Sequence, residues 1–254
     1  MFTAHTRLLA VIAFALLTPA AHALNYNELE VYPYATTQPR EIEIENRFTY
    51  TQQGQRNMSA PDNHQSFSRD STEFVYGFSE RTEGALYFDY EKAKDGAWTH
   101  SAQRLRLRHR FAEKGDYPVD LGLYIELERP YHEDNTLESD IQILMEKDFG
   151  KWTFNFNPAF GKVIRGEERN NGWGLGYSAA AVYRLNETWH PRLDFFGDLG
   201  PLRHVSPRAE QVHLISPAVD IRLGHGFKAG LGVAFGLTDA SERRLIRTRI
   251  EYEF

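Results

Sequence analysis

The sequence predicts an all-β protein, an antiparallel transmembrane barrel of about 12 strands. Three observations predict it: a C-terminal strand that alternates apolar and charged residues, eleven further segments of similar character, and connections that alternate between long and short. Alternation with a period of two is typical of a strand that has a different environment on each face. A closed barrel pairs every backbone hydrogen-bonding group, as a membrane requires.

The C-terminal segment 243–254 carries the pattern most clearly, because apolar and charged side chains alternate from Ile246 to the end. Its charged positions are Arg247, Arg249, Glu251 and Glu253. A strand of this kind at the edge of a sheet would leave a row of backbone groups unpaired. We therefore expect this strand to pair with the first strand and close the barrel.

Composition restricts both the kind of membrane protein and the kind of partner. The 254 residues are 41% hydrophobic, contain no cysteine and carry a net charge of −6. The hydrophobic content is too low for a bundle of membrane helices, and the acidic balance disfavours nucleic acid, whose phosphates require a basic surface. The chain has no thiolate metal ligands and none of the common metal or phosphate motifs. We expect no cofactor and no bound metal.

The N-terminal region divides into a targeting segment and a polar segment. Residues 1–23 combine a basic start, an apolar run at 8–17 and a small-x-small site ending at Ala23, which is the pattern of a cleaved signal peptide. Residues 24–40 are polar and contain two prolines, so we expect a lead-in on the periplasmic side, partly inserted as a plug. The barrel itself is then expected over 41–254.

The first half of the barrel contains five segments of strand composition, each bounded by turn residues. They are 41–51, 72–78, 84–90, 103–111 and 119–128. The first of them puts Ile42 and Ile44 on one face and Glu41, Glu43 and Glu45 on the other. In a membrane barrel the apolar face meets lipid, so we expect the three acids to point into the lumen.

The second half keeps the alternation with smaller inward residues. Its segments are 140–148, 152–161, 173–185, 192–199, 211–223 and 227–237, followed by the closing strand. In the third of these segments, Leu175 and Tyr177 alternate with Gly174, Gly176 and Ser178. Twelve strands result, and glycine on the inner face is typical of a crowded barrel interior.

The connections between the predicted strands are sorted by length. Long ones such as 52–71 and 162–172 alternate with short ones such as 149–151 and 224–226, and only 238–242 breaks the long series. A barrel in the outer membrane of a Gram-negative cell has short periplasmic turns and longer external loops. A soluble β-sandwich has no reason to sort its loops in this way. The sequence therefore predicts a location in the outer membrane, in contact with its lipid.

A ladder of arginines on the fourth strand is the strongest local feature. Its members are Arg104, Arg106, Arg108 and Arg110. Facing lipid, each would cost about 2–4 kcal/mol near the bilayer midplane, so we expect them to face the lumen. The next strand should bring Asp120, Tyr124 and Glu126 beside them. The ladder fits either a lumen filled with ion pairs or a charged constriction that selects anions.

A second set of inward charges is expected where the first and last strands meet. Arg247 and Arg249 should lie there near Glu41, Glu43 and Glu45. With the arginine ladder and its acids, these residues are our candidates for the lining of the lumen.

Two stretches resemble known outer-membrane proteins. The ending Tyr252-Glu253-Phe254 resembles the aromatic-x-Phe signal of Gram-negative barrels, which implies that Tyr252 and Phe254 are read by the barrel-assembly machinery. The region 195–254, which contains FGDLGP, ISP and GVAFGLTDA, is similar to the outer-membrane proteins of the phenol meta-pathway degradation family and its uncharacterised relatives. That resemblance implies a transport-like role towards hydrophobic compounds and carries over no catalytic residues.

Three functions are open at this point. The leading one is passive transport or binding of a small solute, which the resemblance suggests is hydrophobic. The second is a lipid-modifying barrel enzyme, for which His204 and Ser206 are the candidate pair because their spacing is similar to the His-x-Ser of barrel lipid A deacylases. The third is a structural or surface-interaction barrel with a plugged lumen. We expect no enzyme and assign no catalytic residue, because the pair lies in a proline-flanked loop.

Overall fold

The computed structural model describes residues 24–56, 63–131 and 135–254 and forms a closed antiparallel barrel. The strands are β1 Ile42–Gln53, β2 Phe67–Ser79, β3 Thr82–Lys92, β4 Thr99–Arg110, β5 Asp120–Pro130, β6 Leu137–Phe149, β7 Trp152–Arg165, β8 Gly174–Tyr183, β9 Trp189–Pro201, β10 Val212–Gly224, β11 Phe227–Gly236 and β12 Arg244–Glu253. Each strand pairs with its neighbours in sequence, and β1 pairs with β12. The predicted twelve-stranded all-β barrel is confirmed.

The helical content of the described residues is small. A 3₁₀ helix, Glu167–Asn170, follows β7, and no helix in this part of the chain is long and apolar enough to span a membrane. The predicted signal peptide, residues 1–23, lies outside the described residues.

Several strands extend further than the sequence predicts, because their ends carry polar residues that point into the barrel. β2 begins at Phe67, five positions before the predicted start at 72, and its added residues include the buried Arg69 and Ser71. Arg69 contacts Glu242 in the last connection at 2.7 Å. Polar residues at strand ends suggest a loop when only sequence is considered, whereas here the partners lie inside the barrel.

The connections separate into two ends of the barrel. One end, which we call the loop end, carries 54–66, 93–98, 131–136, 166–173, 202–211 and 237–243. The other, the turn end, carries 80–81, 111–119, 150–151, 184–188 and 225–226. The connection 111–119 is the longest at the turn end. It extends across the opening of the barrel, where Lys114 contacts Glu146 of β6 at 2.5 Å.

The exterior of the barrel is an apolar belt. Large hydrophobic side chains such as Phe74, Leu86, Leu105, Phe156 and Ile250 are exposed on the outward faces of their strands. A monomeric soluble protein does not leave a continuous apolar surface of this kind in water. The belt and the fold are those of an outer-membrane barrel, and they place the protein in the outer membrane.

Aromatic rings line the turn end of this belt. Trp152 packs against Tyr183 with their centroids 4.9 Å apart, and Tyr252 packs against Phe227 at 4.3 Å. The amphipathic rings of Trp and Tyr favour the boundary between hydrocarbon and headgroups. Phe254 belongs to this group, and its backbone N–H donates to Ile42 across the seam at 2.9 Å. The role of Tyr252 and Phe254 in assembly stays a prediction.

The polar segment 24–40, which we call the plug, lies inside the barrel. Leu29, Val31, Tyr32 and Tyr34 are all at most 3% exposed. This corrects the expected periplasmic placement: the insertion expected for part of the segment extends over nearly all of it. The reason is that its polar groups have partners on the lumen wall, which the sequence alone does not identify.

The lipid-facing position of Leu105 gives a test of the barrel's orientation in the membrane. Leu105 is 59% exposed near the middle of β4. We expect Leu105→Arg to destabilise the barrel in phospholipid vesicles by about 2–4 kcal/mol, because its guanidinium would enter hydrocarbon. Urea unfolding followed by tryptophan fluorescence measures this.

The matched control is Leu202→Arg, at a similarly exposed leucine in the loop-end connection 202–211. It should leave the unfolding midpoint nearly unchanged. Equal losses for the two variants would contradict the assignment of the belt to lipid.

Candidate functional site

The lumen is occupied along its length by the plug. At the loop end, the Asn25 side chain donates to Glu128 at 3.2 Å. At the turn end, the Arg40 N–H donates to the Gly77 carbonyl at 2.8 Å, and Thr36 donates to the carbonyl of Glu80 at 3.2 Å. The segment therefore runs from one end of the barrel to the other, with Leu24 towards the loops.

A glycine on β2 allows the plug to approach the wall. A Cβ at Gly77 would lie 1.9 Å from the carbonyl oxygen of Gln38, far inside any real contact. Only a residue without a side chain leaves room for backbone at this distance. Glycine at position 77 therefore allows the plug backbone to pass close to β2 at the turn end.

The middle of the plug is held by hydrogen bonds from three sides. The Tyr34 N–H donates to Glu146 at 3.0 Å, the Thr37 N–H donates to Glu83 at 2.6 Å, and the Asn157 side chain donates to the Tyr32 carbonyl at 2.9 Å. Tyr32 also lies 3.1 Å from Tyr87, hydroxyl to hydroxyl. These contacts satisfy an extended segment that has no secondary structure of its own.

Apolar residues of the plug add a small hydrophobic contact. Leu29 and Val31 pack in a cluster with Ala180, Phe196, Leu214, Ala234 and Leu245. This cluster lies on the half of the barrel away from the arginine ladder, where the inward residues are small or apolar. The plug thus meets an apolar wall on one side and a charged wall on the other.

The charged wall is built from the predicted arginine ladder. Arg104 contacts Asp89 at 2.7 Å, Glu126 at 3.1 Å and Glu28 of the plug at 3.1 Å. Its guanidinium also lies 4.0 Å from the centre of the Tyr87 ring. This arginine is fully buried, and its charge is balanced within the lumen.

The other ladder residues share their acids. Arg106 contacts Glu73 at 2.6 Å and Glu83 at 2.7 Å, and Arg108 contacts Glu83 at 2.8 Å. Arg110 lies at the turn end, where it contacts Glu113 at 2.8 Å and donates to the Glu80 carbonyl. The ladder thus has three members in the lumen and one at its rim.

The predicted acids have different roles from one another. Glu126 lies beside Arg104 as expected, and Tyr124 donates to it at 2.6 Å. Asp120 is buried but accepts from the backbone of Gly115 at 2.7 Å. Asp120 therefore holds the connection 111–119 in place and does not meet the ladder.

The seam between β1 and β12 differs from the expected pairing. Register places Arg249 opposite Arg47 and Arg247 opposite Thr49, so the last-strand arginines lie nearer the loop end than Glu41 and Glu43. Arg249 reaches Glu45 at 3.6 Å, as expected. Arg247 instead crosses the lumen to Asp194 on β9, which corrects the prediction that it meets the first-strand acids.

Glu43 of β1 belongs instead to a separate group of acids at the turn end. Carboxylate oxygens of Glu43, Glu251 and Glu253 lie within 4.8 Å of one another, a spacing that can hold a metal ion. Lys228 lies among them, 3.5 Å from Glu253 and 4.0 Å from Glu43, and also pairs with Glu251. The ammonium group is therefore shared by three carboxylates and lies closest to that of Glu251.

A second arginine cluster surrounds Glu30 of the plug. Arg249 contacts Glu30 at 3.3 Å and Arg47 contacts it at 3.8 Å. Sequence patterns pointed to Arg249 but not to Glu28, Glu30 or Arg47 as members of a charged site. The signal that was available is the presence of two acids, Glu28 and Glu30, in a segment that precedes arginine-bearing strands, but the turn at 26–28 and the positive φ of Leu29 that orient them are not visible in the sequence.

A cavity of about 380 Å³ lies between the plug and the wall. Its lining includes the plug from Glu30 to Gln38 and charged residues of the wall such as Arg184, Arg222 and Glu251. Most of these wall residues lie towards the turn end. The charged lining favours a polar occupant over a hydrophobic one.

The candidate catalytic pair is not assembled. His204 is exposed in the connection 202–211, while Ser206 packs near Gly200 with its backbone N–H donating to the Leu199 carbonyl at 2.9 Å. Among the described residues, no hydrogen bond joins the His204 and Ser206 side chains. The geometry supports no acyl-transfer chemistry at this pair.

Comparison with known proteins identifies the fold. No protein-family model and no curated protein matches the sequence. Among solved structures, the COG4313 outer membrane channel from Pseudomonas putida F1 is similar with a TM-score of 0.59 and 13% identity, over 89% of this chain and 100% of that one. The KdgM porin has a TM-score of 0.56 and 8% identity, over 84% and 99% of the two chains. The KdgM porin in complex with disordered oligogalacturonate matches equally well.

Because the sequence identities are low, these likenesses establish the fold alone. They confirm the coarse resemblance, a Gram-negative outer-membrane barrel. The narrower resemblance to the phenol meta-pathway family stays a prediction.

The buried position of Arg104 predicts a large effect on stability. We expect Arg104→Met to destabilise the barrel by about 3–5 kcal/mol, because Asp89 would remain buried without its partner. Urea unfolding in vesicles measures the loss. The double variant Arg104→Met with Asp89→Asn should recover part of it, and the matched control Arg81→Met, which breaks an exposed pair with Glu113, should change little. Similar losses for Arg104→Met and Arg81→Met would contradict the buried network.

A cluster of His64, Arg69 and Glu242 lies at the loop end of the barrel, beside the start of the plug. Glu242 contacts His64 at 2.8 Å and Arg69 at 2.7 Å, and Arg69 lies over the Tyr26 ring at 5.2 Å. Burial alone would raise the pKa of Glu242, but the hydrogen bond from His64 and the attraction of Arg69 outweigh it and hold the pKa below its ordinary 4.5.

This depressed pKa predicts the direction of a pH effect. The stability that ionised Glu242 contributes is fully present above pH 4.5 and is lost as the pH falls through the lower, folded-state pKa. The difference in unfolding free energy between the native protein and Glu242→Gln should therefore shrink as the pH falls from about pH 5 to below about pH 4. A difference that grows on acidification would reverse this sign.

Proposed function

We propose that this protein is an outer-membrane channel for a small polar solute, and that the plug controls passage through it. The observation that carries the proposal is the plug itself, an extended segment that fills the barrel from end to end. It has no helix or sheet of its own and is held by hydrogen bonds, ion pairs and one small apolar cluster. A segment of this kind can leave the lumen while the barrel wall stays closed.

The comparisons support the same reading by fold. The similar structures are named as an outer membrane channel and a porin, and KdgM was solved with an oligogalacturonate. We propose a polar solute because the cavity beside the plug is lined with charged residues of both signs. This replaces the hydrophobic solute that the family resemblance implied.

A second candidate function is a structural barrel with a permanently closed lumen. The observation that favours it is the density of ion pairs, with Arg104, Arg106 and Arg108 all bound to buried acids. In this case the plug would be part of the core. The two functions differ in what happens when the plug contacts are removed.

Replacing the plug separates the two functions. We expect a variant with residues 25–36 exchanged for a Gly-Ser segment of equal length to conduct in planar bilayers, at least ten times more often than the native protein. The reason is that a flexible segment lacks the side chains that hold it across the lumen. Single-channel recording provides the measurement.

The control variant exchanges the loop-end connection 203–209, which lies away from the plug contacts, for Gly-Ser. It should conduct as the native protein does. Heat-dependent gel mobility shows whether each barrel has folded. A folded, plug-exchanged barrel that passes no current would refute the channel and favour the structural role.

A further inference from the structure

Glu30 of the plug lies in the lumen among four arginines. They are Arg47, Arg192, Arg247 and Arg249, from β1, β9 and β12. The Glu30 carboxylate is 3.3 Å from the Arg249 guanidinium and 3.8 Å from that of Arg47, and its side chain is 8% exposed. Arg192 and Arg247 act on its charge from slightly further away. We call these four residues the arginine cage.

The wall supplies four acids to the cage, and each of them is shared between two arginines. Asp194 pairs with Arg192 at 2.7 Å and also with Arg247. Asp220 lies 2.8 Å from Arg192 and 3.1 Å from Arg249, and Glu45 lies 2.9 Å from Arg47. Glu45 also lies 3.6 Å from Arg249, and Glu73 is shared between Arg47 at 2.7 Å and Arg106 at 2.6 Å. Four wall acids thus serve the four guanidiniums, and the plug adds two carboxylates, Glu30 and Glu28, of which Glu28 lies 3.6 Å from Arg47.

The wall beside the cage is shaped to keep its guanidiniums in place. Gly232 lies on β11 opposite Arg247, and a Cβ there would be 2.9 Å from Nε of that arginine. At Gly230 a Cβ would be 3.3 Å from the Cβ of Arg249. The two glycines leave space for the long side chains to lie along the wall, and a void of about 30 Å³ remains beside Glu30.

The cage is also close to the larger cavity. Glu30, Arg47, Arg192 and Arg249 line both the void beside the cage and the cavity of about 380 Å³ that lies towards the turn end. A small solute in that cavity would need only to replace the carboxylate of Glu30 to reach the guanidiniums.

We propose that the arginine cage is a binding site for the carboxylate of the transported solute, and that Glu30 occupies this site while the plug is in place. The inference rests on the proposed function, because the site becomes free only when the plug moves. The solute class is a small polar molecule that carries a carboxylate. Guanidinium groups match carboxylates through paired N–H donors, and the group that fills the cage here is itself a carboxylate.

Chemical rescue tests the site without any measurement of current. Glu30→Ala leaves an empty carboxylate position among the four arginines, so its thermal unfolding midpoint in detergent should fall. Added acetate should restore at least half of the lost midpoint in a saturable manner, whereas acetamide, which has a similar shape and no charge, should restore none. Equal effects of acetate and acetamide would overturn the proposal.

Two control variants show whether the rescue by acetate occurs at the arginine cage. Glu28→Ala removes the other carboxylate of the plug, but its neighbour Arg104 keeps Asp89 and Glu126 and its neighbour Arg47 keeps Glu45 and Glu73, so acetate should restore less there than in Glu30→Ala. Glu30→Ala combined with Arg249→Gln removes one wall of the cage and should lose the rescue. Rescue that is as strong in either control would show a general salt effect and overturn the site.

A second measurement covers the case in which Glu30→Ala does not fold. The plug-exchanged barrel lacks Glu30 entirely, so its unfolding midpoint should rise with acetate and not with acetamide. This result is independent of conduction. If the barrel conducts and acetate has no effect, only the site fails; if acetate binds and no current flows, the channel fails while the site stands.

Discussion

The pairing of charges inside a narrow barrel is the constraint on which the rest of the structure depends. Outward positions must be apolar to meet lipid, so the polar residues of every strand are forced inward. There they are shielded from water, and an unpaired guanidinium or carboxylate would be strongly destabilising. Arg104 meets this requirement with three acids, one of which, Glu28, comes from the plug. The plug is therefore a component of the charge balance as well as a physical obstruction.

The sequence predicts the strands and their lipid-facing sides, but few of the side-chain contacts inside the lumen. Period-two alternation predicts the twelve strands. Glu126 could be placed beside Arg104 because β4 and β5 are consecutive in sequence and pair directly. Arg247 shows the limit: its partner Asp194 lies on β9, which is not adjacent to β12 in the sheet. Contacts across the lumen depend on the curvature of the barrel, and the plug contacts depend on a segment without any periodic pattern.

The plug combines two kinds of anchor that respond differently to a solute. Leu29 and Val31 pack on an apolar cluster, and burying each contributes about 1.5–3 kcal/mol. Glu30 is held by charge, through Arg249 and Arg47. A polar solute cannot compete for the apolar contact, but an anion can compete for the guanidiniums. In the proposed channel, the apolar anchor keeps the lumen closed, and the charged anchor is the one that a solute anion would replace.

This difference explains why a carboxylate suits the middle of the plug better than another apolar residue. An apolar side chain there would remove a carboxylate from among four buried guanidiniums whose wall acids are each shared between two arginines, and would weaken the attraction that holds the plug in place. In the proposed exchange, a solute carboxylate takes the place of Glu30 and keeps a negative charge beside the guanidiniums in the open state. Exchange of one anion for another leaves the number of buried charges unchanged, so the barrel can open without exposing a bare arginine cluster to its own interior.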